Sequence, residues 1–247
     1  MAEPLHFTAI DHFSITAANQ QRQLDFYSRV FGANLRKERD SERYYVKLGS
    51  GYLALGQAAQ GRRSGFIDHF CVGWEGAWLK PIEDHLTEVG AKYTKPQPFG
   101  IFFADPDGIR IQLWTEDSWL DVARTAPLFD HAAPPPLFEA VRIFGLNIEL
   151  PDTVKATPYY EKLFGPSKNG VLTIGKSVLV LKNAMNQPGI ELAVIVVAKV
   201  SEGDSDKLKA LGATVDTVEP RKWIAFRDPE GARILLVADS ATSMLPA

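Results

Sequence analysis

The chain has 247 residues, 45% of them hydrophobic and 11% aromatic, with a formal charge of -3. That is enough apolar material for one large core or two ordinary ones, and the even spread of charge over both halves excludes a nucleic-acid-binding surface. No apolar run approaches the roughly 20 residues of a membrane span, and the start MAEPLHFTAI lacks the basic and apolar regions of a secretory leader. With a single cysteine, Cys71, no internal disulfide can form, so a cytoplasmic protein that meets a small-molecule substrate or ligand is expected, with no nucleic acid and no membrane as partner.

In chain order, IDHFSI at 10–15 reads as a strand, and a helix is predicted over about 19–32. Leu24, Tyr27 and Phe31 form its apolar stripe, with Asn19 as N-cap and Gly32 as terminator. RYYVKLG and YLALGQ follow as a hairpin around Gly49, Ser50 and Gly51. IDHFCV at 67–72 then repeats the opening phrase almost letter for letter, and a second helix over about 79–90 carries Ile82, Leu86 and Val89 before Gly90. A DPDG turn leads into GIRIQLW, and the three consecutive prolines of TAPLFDHAAPPPLFEA read as a stiff linker. Beyond it come a strand from Ile143, a helix over 153–165 ending at Gly165, and a helix over 205–212 with Ser205 as N-cap and Gly212 as stop.

The second half echoes the first. FADPDGIRIQLW (103–114) returns as FRDPEGARILLV (226–237), and FYSRVFG (26–32) returns as YYEKLFG (159–165). Each half divides again, giving a β-α-β-β-β unit written four times, an α+β architecture. The expected organisation is a first domain over 1–116, a linker over 117–138 and a second domain over 139–247.

Four such units, an early DH strand, FY…FG in the first helix and DPDG before a last strand together resemble the vicinal oxygen chelate superfamily. That group holds glyoxalases, extradiol dioxygenases and bleomycin resistance proteins. The resemblance implies two tandem domains whose paired units curl mixed sheets into cups, and a fold of this kind hosts unlike chemistries. By strand alternation, His12 and Ser14 share one face, His69 and Cys71 another, and Arg110, Gln112 and Trp114 a third. The resemblance aims these faces into the first cup, provided units one and two pair with each other.

In the resembling enzymes a divalent metal sits on first and last strands. His12 and His69 occupy two of those positions; the third, usually glutamate, is Gln112, and the remaining one, counted from Gly51, is Leu55, which cannot bind a metal. Two imidazoles and one carboxamide suit iron, manganese, zinc, nickel or cobalt. A neutral amide in place of a carboxylate weakens binding but leaves the ion a stronger Lewis acid. In the second half the matching positions are Gly145, Leu235 and Leu179, so no metal site is expected there.

The resemblance implies a metal-dependent lyase, isomerase or dioxygenase whose substrate binds through adjacent oxygens. No glutamate is left beside the metal as a base, and Tyr44, Tyr45, Glu38 and Glu42 are the candidates from the second strand. The alternative is a metal-free protein that sequesters a planar ligand between aromatic walls such as Trp74, Trp78, Trp114, Tyr44, Tyr45 and Phe102. A non-catalytic homologue that pairs with another subunit is a third reading, and a homodimer is left open. A strand histidine is more often structural than a ligand, Cys71 suits a cavity filler, Asp11 and Asp68 suit strand ends, and His85 is expected to face solvent.

Overall fold

The computed structural model describes residues 5–32, 35–38, 42–60, 63–76, 80–94, 100–115, 125–128 (backbone alone), 135–185 and 187–245. The first unit runs β1 (Phe7–Ala17), α1 (Gln20–Phe31), β2 (Leu35–Glu38), β3 (Tyr44–Leu48) and β4 (Gly51–Gln57). The second runs β5 (Phe66–Trp74), α2 (Lys80–Val89), β6 (Ile101–Ala104) and β7 (Arg110–Thr115). Its expected extra strand is reduced, among the described residues, to an isolated bridge between Tyr93 and Phe103. After β8 (Thr125–Leu128) come β9 (Ala140–Leu150), α3 (Thr153–Phe164), β10 (Ser167–Lys168), β11 (Val171–Ile174) and β12 (Ser177–Asn183). The last unit is β13 (Gly189–Val197), α4 (Asp204–Ala210), β14 (Thr214–Glu219), β15 (Trp223–Arg227) and β16 (Arg233–Ala238), followed by a short 3-10 helix over Asp239–Met244.

The strands order as β2-β3-β4-β1-β5-β7-β6 and β10-β11-β12-β9-β13-β16-β15-β14, joined by one pairing, Ile67 with Ile190. Within each set the first strands of two consecutive units lie side by side, antiparallel, and each is flanked by its own unit's last strand in parallel. Unit one therefore pairs with unit two, the arrangement that gathers His12, His69 and Gln112 into one sheet.

Two local expectations are corrected. Residues 125–128, read as linker, form an edge strand on β2, with Leu35 opposite Leu128. Ser205 lies inside α4 and is not its cap; Gly203 precedes that helix, and the Asp204 carboxylate accepts from the Ser201 amide at 2.7 Å. Asn19 does cap α1, accepting from the Arg22 amide at 3.0 Å.

The halves hold each other by reciprocal contacts. Phe26 of α1 meets Phe226 of β15, while Phe164 of α3 meets Phe7 and Phe70 of the first sheet. Tyr27 of α1 donates its hydroxyl to Asp228 of the DPEG turn at 2.8 Å, and Tyr160 of α3 donates to Asp105 of the DPDG turn at 2.8 Å. Each aspartate uses its other oxygen to hold its own turn: Asp105 accepts from the Asp107 and Ile109 amides, and Asp228 from those of Glu230, Gly231 and Ala232. The hairpin tips dock the same way. A Cβ on Gly49 would lie 1.8 Å from the Val141 carbonyl oxygen and one on Gly175 2.0 Å from that of Thr8, so both tips, at positive φ, require glycine. The repeated FY/YY and DPDG/DPEG phrases are thus the contact residues between the repeats, and one continuous apolar core runs through both.

Candidate functional site

Strand register sets the first cup. Tyr52, His12, Cys71 and Gln112 form one row across β4, β1, β5 and β7; Ala54, Ser14, His69 and Arg110 form the next. Neighbouring strands are about 4.8 Å apart, so Gln112 lies two strands from His12, with Cys71 between them and His69 one row away. The His12 and His69 rings meet edge to face at 5.7 Å between centroids. Two imidazoles that share one ion at about 2.1 Å per nitrogen in tetrahedral geometry would hold their centroids about 5 Å apart, close to that spacing.

A β-bulge accompanies each histidine. Ile10 and His12 face consecutive residues of β5, which leaves Asp11 unopposed; Ser14 and Ile15 face His69 and Ile67, which leaves Asp68 unopposed. A bulge breaks strict alternation and re-aims side chains. Asp68 thereby reaches the His69 Nδ1 at 2.8 Å and the Arg110 guanidinium at 2.7 Å, instead of capping a strand as expected. Burial opposes the Asp68 charge, but the His69 ring and Arg110 together hold its carboxyl below the ordinary range. An ionised carboxylate only accepts, so Nδ1 of His69 carries the proton and Nε2 carries the lone pair. That Nε2 is buried and has no hydrogen-bond partner among the described residues. Burial drives the His69 pKa down to about 4, against the pull of Asp68 and with help from His12. The ring is neutral at physiological pH.

The rest of the first cup is closely filled. Ser14, Cys71, Gln112 and Trp114 are buried, and Trp114 lies 5.0 Å from His12, Phe102 5.5 Å from His69 and Tyr45 6.3 Å from His12. Burial pushes the Cys71 thiol well up, making it an inert filler. Burial likewise raises the Tyr45 phenol well above its ordinary value, so it is a proton donor and no base at neutral pH. Arg110 shares the cup row, but its side chain is half exposed, at the rim. Among the described residues no three histidine, cysteine or carboxylate side chains converge, so a metal set here needs the Gln112 oxygen.

Several sequence readings change. Leu55 sits opposite Ile15 in the core; the cup residue equivalent to Gln112 in the first unit is Ala54, opposite Ser14. Tyr44 turns to the core side, opposite Leu55, and Trp74 is core, while Glu42 is exposed and paired with Lys37, so of these Tyr45 alone is a cup residue. His85 does not face solvent freely: its Nε2 lies 2.9 Å from the Leu163 carbonyl oxygen, tying α2 to α3. Trp78 and most of the expected linker lie outside the described residues.

The second cup repeats the rows with other chemistry. Val178, Gly145, Val194 and Leu235 match Tyr52, His12, Cys71 and Gln112; Val180, Asn147, Leu192 and Arg233 match Ala54, Ser14, His69 and Arg110. Bulges recur at Phe144 and Glu191, and Glu191 pairs with Arg233 as Asp68 pairs with Arg110. The bulge and its ion pair persist where the histidines are gone.

Residues 9–113 match the family model described as Glyoxalase/Bleomycin resistance protein/Dioxygenase superfamily. A comparison with curated proteins gives no match. Among solved structures, the Mn(II)-bound glyoxalase from Novosphingobium aromaticivorans is similar at a TM-score of 0.68 and 14% identity, over 96% of this chain and 83% of that one. Homoprotocatechuate 2,3-dioxygenase from Arthrobacter globiformis is similar at 0.66 and 18%, over 95% and 80%. A fusion of a xylose isomerase-like TIM barrel with a 4-hydroxyphenylpyruvate dioxygenase is similar at 0.69 and 11%; the match covers 97% of this chain and 50% of that one, so this chain spans about half of that protein. At these identities the likeness shows the fold, an α+β vicinal oxygen chelate architecture.

Proposed function

Because residues 9–113 match the family model of the glyoxalase/bleomycin resistance protein/dioxygenase superfamily, we propose that the first cup holds a divalent transition metal on His12, His69 and Gln112 and that the protein is an enzyme acting there on a small molecule. The observation that carries this is the His69 Nε2: a buried lone pair with no partner, on a ring whose other nitrogen is fixed by a carboxylate that is itself fixed by an arginine. Proteins aim metal-binding histidines in this way, and a buried acceptor left without a donor costs about 1–3 kcal/mol. A metal offers the missing partner.

When bound, such an ion supplies Lewis acidity, stabilising negative charge on a substrate that offers it two adjacent oxygens. The chain does the rest. Asp68 and Arg110 hold the His69 tautomer. Tyr45 keeps its proton at the phenol oxygen and offers it as a hydrogen bond to charge developing in the cup. Trp114 and Phe102 exclude water beside the two imidazoles. Gln112 takes no proton, so the chemistry is a lyase, isomerase or dioxygenase step that draws no base from the ligand set.

The test is titration of the chelator-treated protein with Mn(II), Fe(II) and Zn(II), followed by binding of a vicinal diol such as catechol. One equivalent of metal is expected in the wild type and none in His12→Ala, with the diol bound by the loaded form alone. Failure of the wild type to take up stoichiometric metal from excess would overturn the reading. The aromatic ring contacts around His12 and His69 favour a second reading in that event, a metal-free binder of a planar ligand.

A further inference from the structure

The second cup holds a cavity of about 170 Å³ bounded by Val178, Val180, Leu192, Val194, Leu235 and Asn147. Its origin is visible in the row correspondence. Where His12 fills the first cup, Gly145 stands here, and a Cβ at that position would lie 2.4 Å from the Val178 carbonyl oxygen. The backbone approach forbids any side chain, so the volume of an imidazole is missing. The Cys71 and Gln112 positions carry Val194 and Leu235, and the walls are accordingly aliphatic.

A carboxamide interrupts them. Asn147 is 8% exposed and lines the same space. An amide there offers a ligand both a donor and an acceptor. A volume of about 150 Å³ is enough to accept benzene, and the space here, partly open to solvent, is of that size.

We propose that the second cup is a metal-free binding site for a compact, uncharged, single-ring molecule that carries one hydrogen-bonding group, the ring seated against Val178, Val194 and Leu235 and the polar group on Asn147. The aliphatic walls disfavour a buried anion; of the cations nearby, Arg233 at the β16 end of the second row is paired with Glu191 and Asp216, and Lys182, which lines the cavity from the next cup-side position along β12, is exposed. The site is separate from the first cup and does not depend on its metal, so the two proposals fail independently.

The experiment is isothermal titration of the full chain, freed of metal by chelator, with phenol, toluene and benzoate as probes. Phenol is expected to bind one equivalent about tenfold tighter than toluene, from one hydrogen bond to the Asn147 carboxamide, and benzoate more weakly than either. Asn147→Leu should remove the phenol advantage and leave toluene unchanged. Leu235→Phe should abolish binding of both; circular dichroism checks that it folds, and Val180→Phe serves if it does not. Absence of saturable binding by the wild type, or binding indifferent to the filling substitutions, would overturn the site. Binding blocked by filling but unaffected by Asn147→Leu, or benzoate bound in preference to phenol, would overturn the assignment of the polar group.

Discussion

Tyr160 and Asp105 make a buried bond between the two halves whose loss can be sized. Tyr160 is fully buried, Asp105 nearly so, and the hydroxyl lies 2.8 Å from an oxygen that accepts no other bond described here. Tyr160→Phe keeps the ring and removes the donor alone. A hydrogen bond to a charged group contributes about 1.5–3 kcal/mol, and for a chain of this length each kcal/mol moves the unfolding midpoint by about 2–4 °C. The expected loss is therefore about 3–12 °C by calorimetry or circular dichroism. Tyr27→Phe, which cuts the matching bond to Asp228, should lose a similar amount, and the double substitution should lose the sum, because the two pairs share no partner. Tyr159 supplies the control: its buried hydroxyl has no partner among the described residues, so Tyr159→Phe should cost nothing or stabilise. Midpoints of Tyr160→Phe and Tyr159→Phe within one another's error would refute the strut.

Other outcomes follow from the same geometry. Burial, with Asp228 and Asp105 beside them, raises the phenols of Tyr27 and Tyr160 well above their ordinary value. Their contribution is thus complete below pH about 10 and lost as pH rises beyond it; phenolate absorbance from these two should appear only together with unfolding. His69 shows the opposite sign: its pKa of about 4 lies below the unfolded value, so stability is full above pH about 6.5 and falls toward pH 4, by about 3 kcal/mol in metal-free protein. His69→Gln should flatten that acid limb in urea titrations. Asp68→Asn, which frees the His69 ring from its orienting carboxylate, should weaken Mn(II) binding about 10- to 100-fold while leaving His12 and Gln112 in place. Gln112→Glu, adding a charge to the donor set, should tighten it.

The alternation of strand side chains was enough to place His12, Ser14, His69, Cys71, Gln112 and Trp114 on one face, and the repeated phrases were enough to find four units. What alternation misses is the place where it breaks. The bulge at Asp68 is encoded in a backbone register that involves Ser14 and Ile15 on another strand, so the carboxylate read as a strand end proved to be the group that orients His69. Counting four residues from a glycine pointed to Leu55, whereas the parallel pairing of β1 with β4 puts Ala54 on the cup side. Equally, DPDG and FY were legible as repeats but not as partners, since Tyr160 and Asp105 are 55 residues apart and meet only after the halves pack. The unused space beneath Gly145 depends on how closely the Val178 backbone approaches, a distance that composition and spacing do not carry.

The most direct measurement is an anomalous difference map from crystals grown with Mn(II). Density for one ion about 2.0–2.3 Å from Nε2 of His12, Nε2 of His69 and the side-chain oxygen of Gln112 is the predicted result. A fully loaded crystal whose ion lies elsewhere, or one that shows no ion between the two imidazoles, would contradict it.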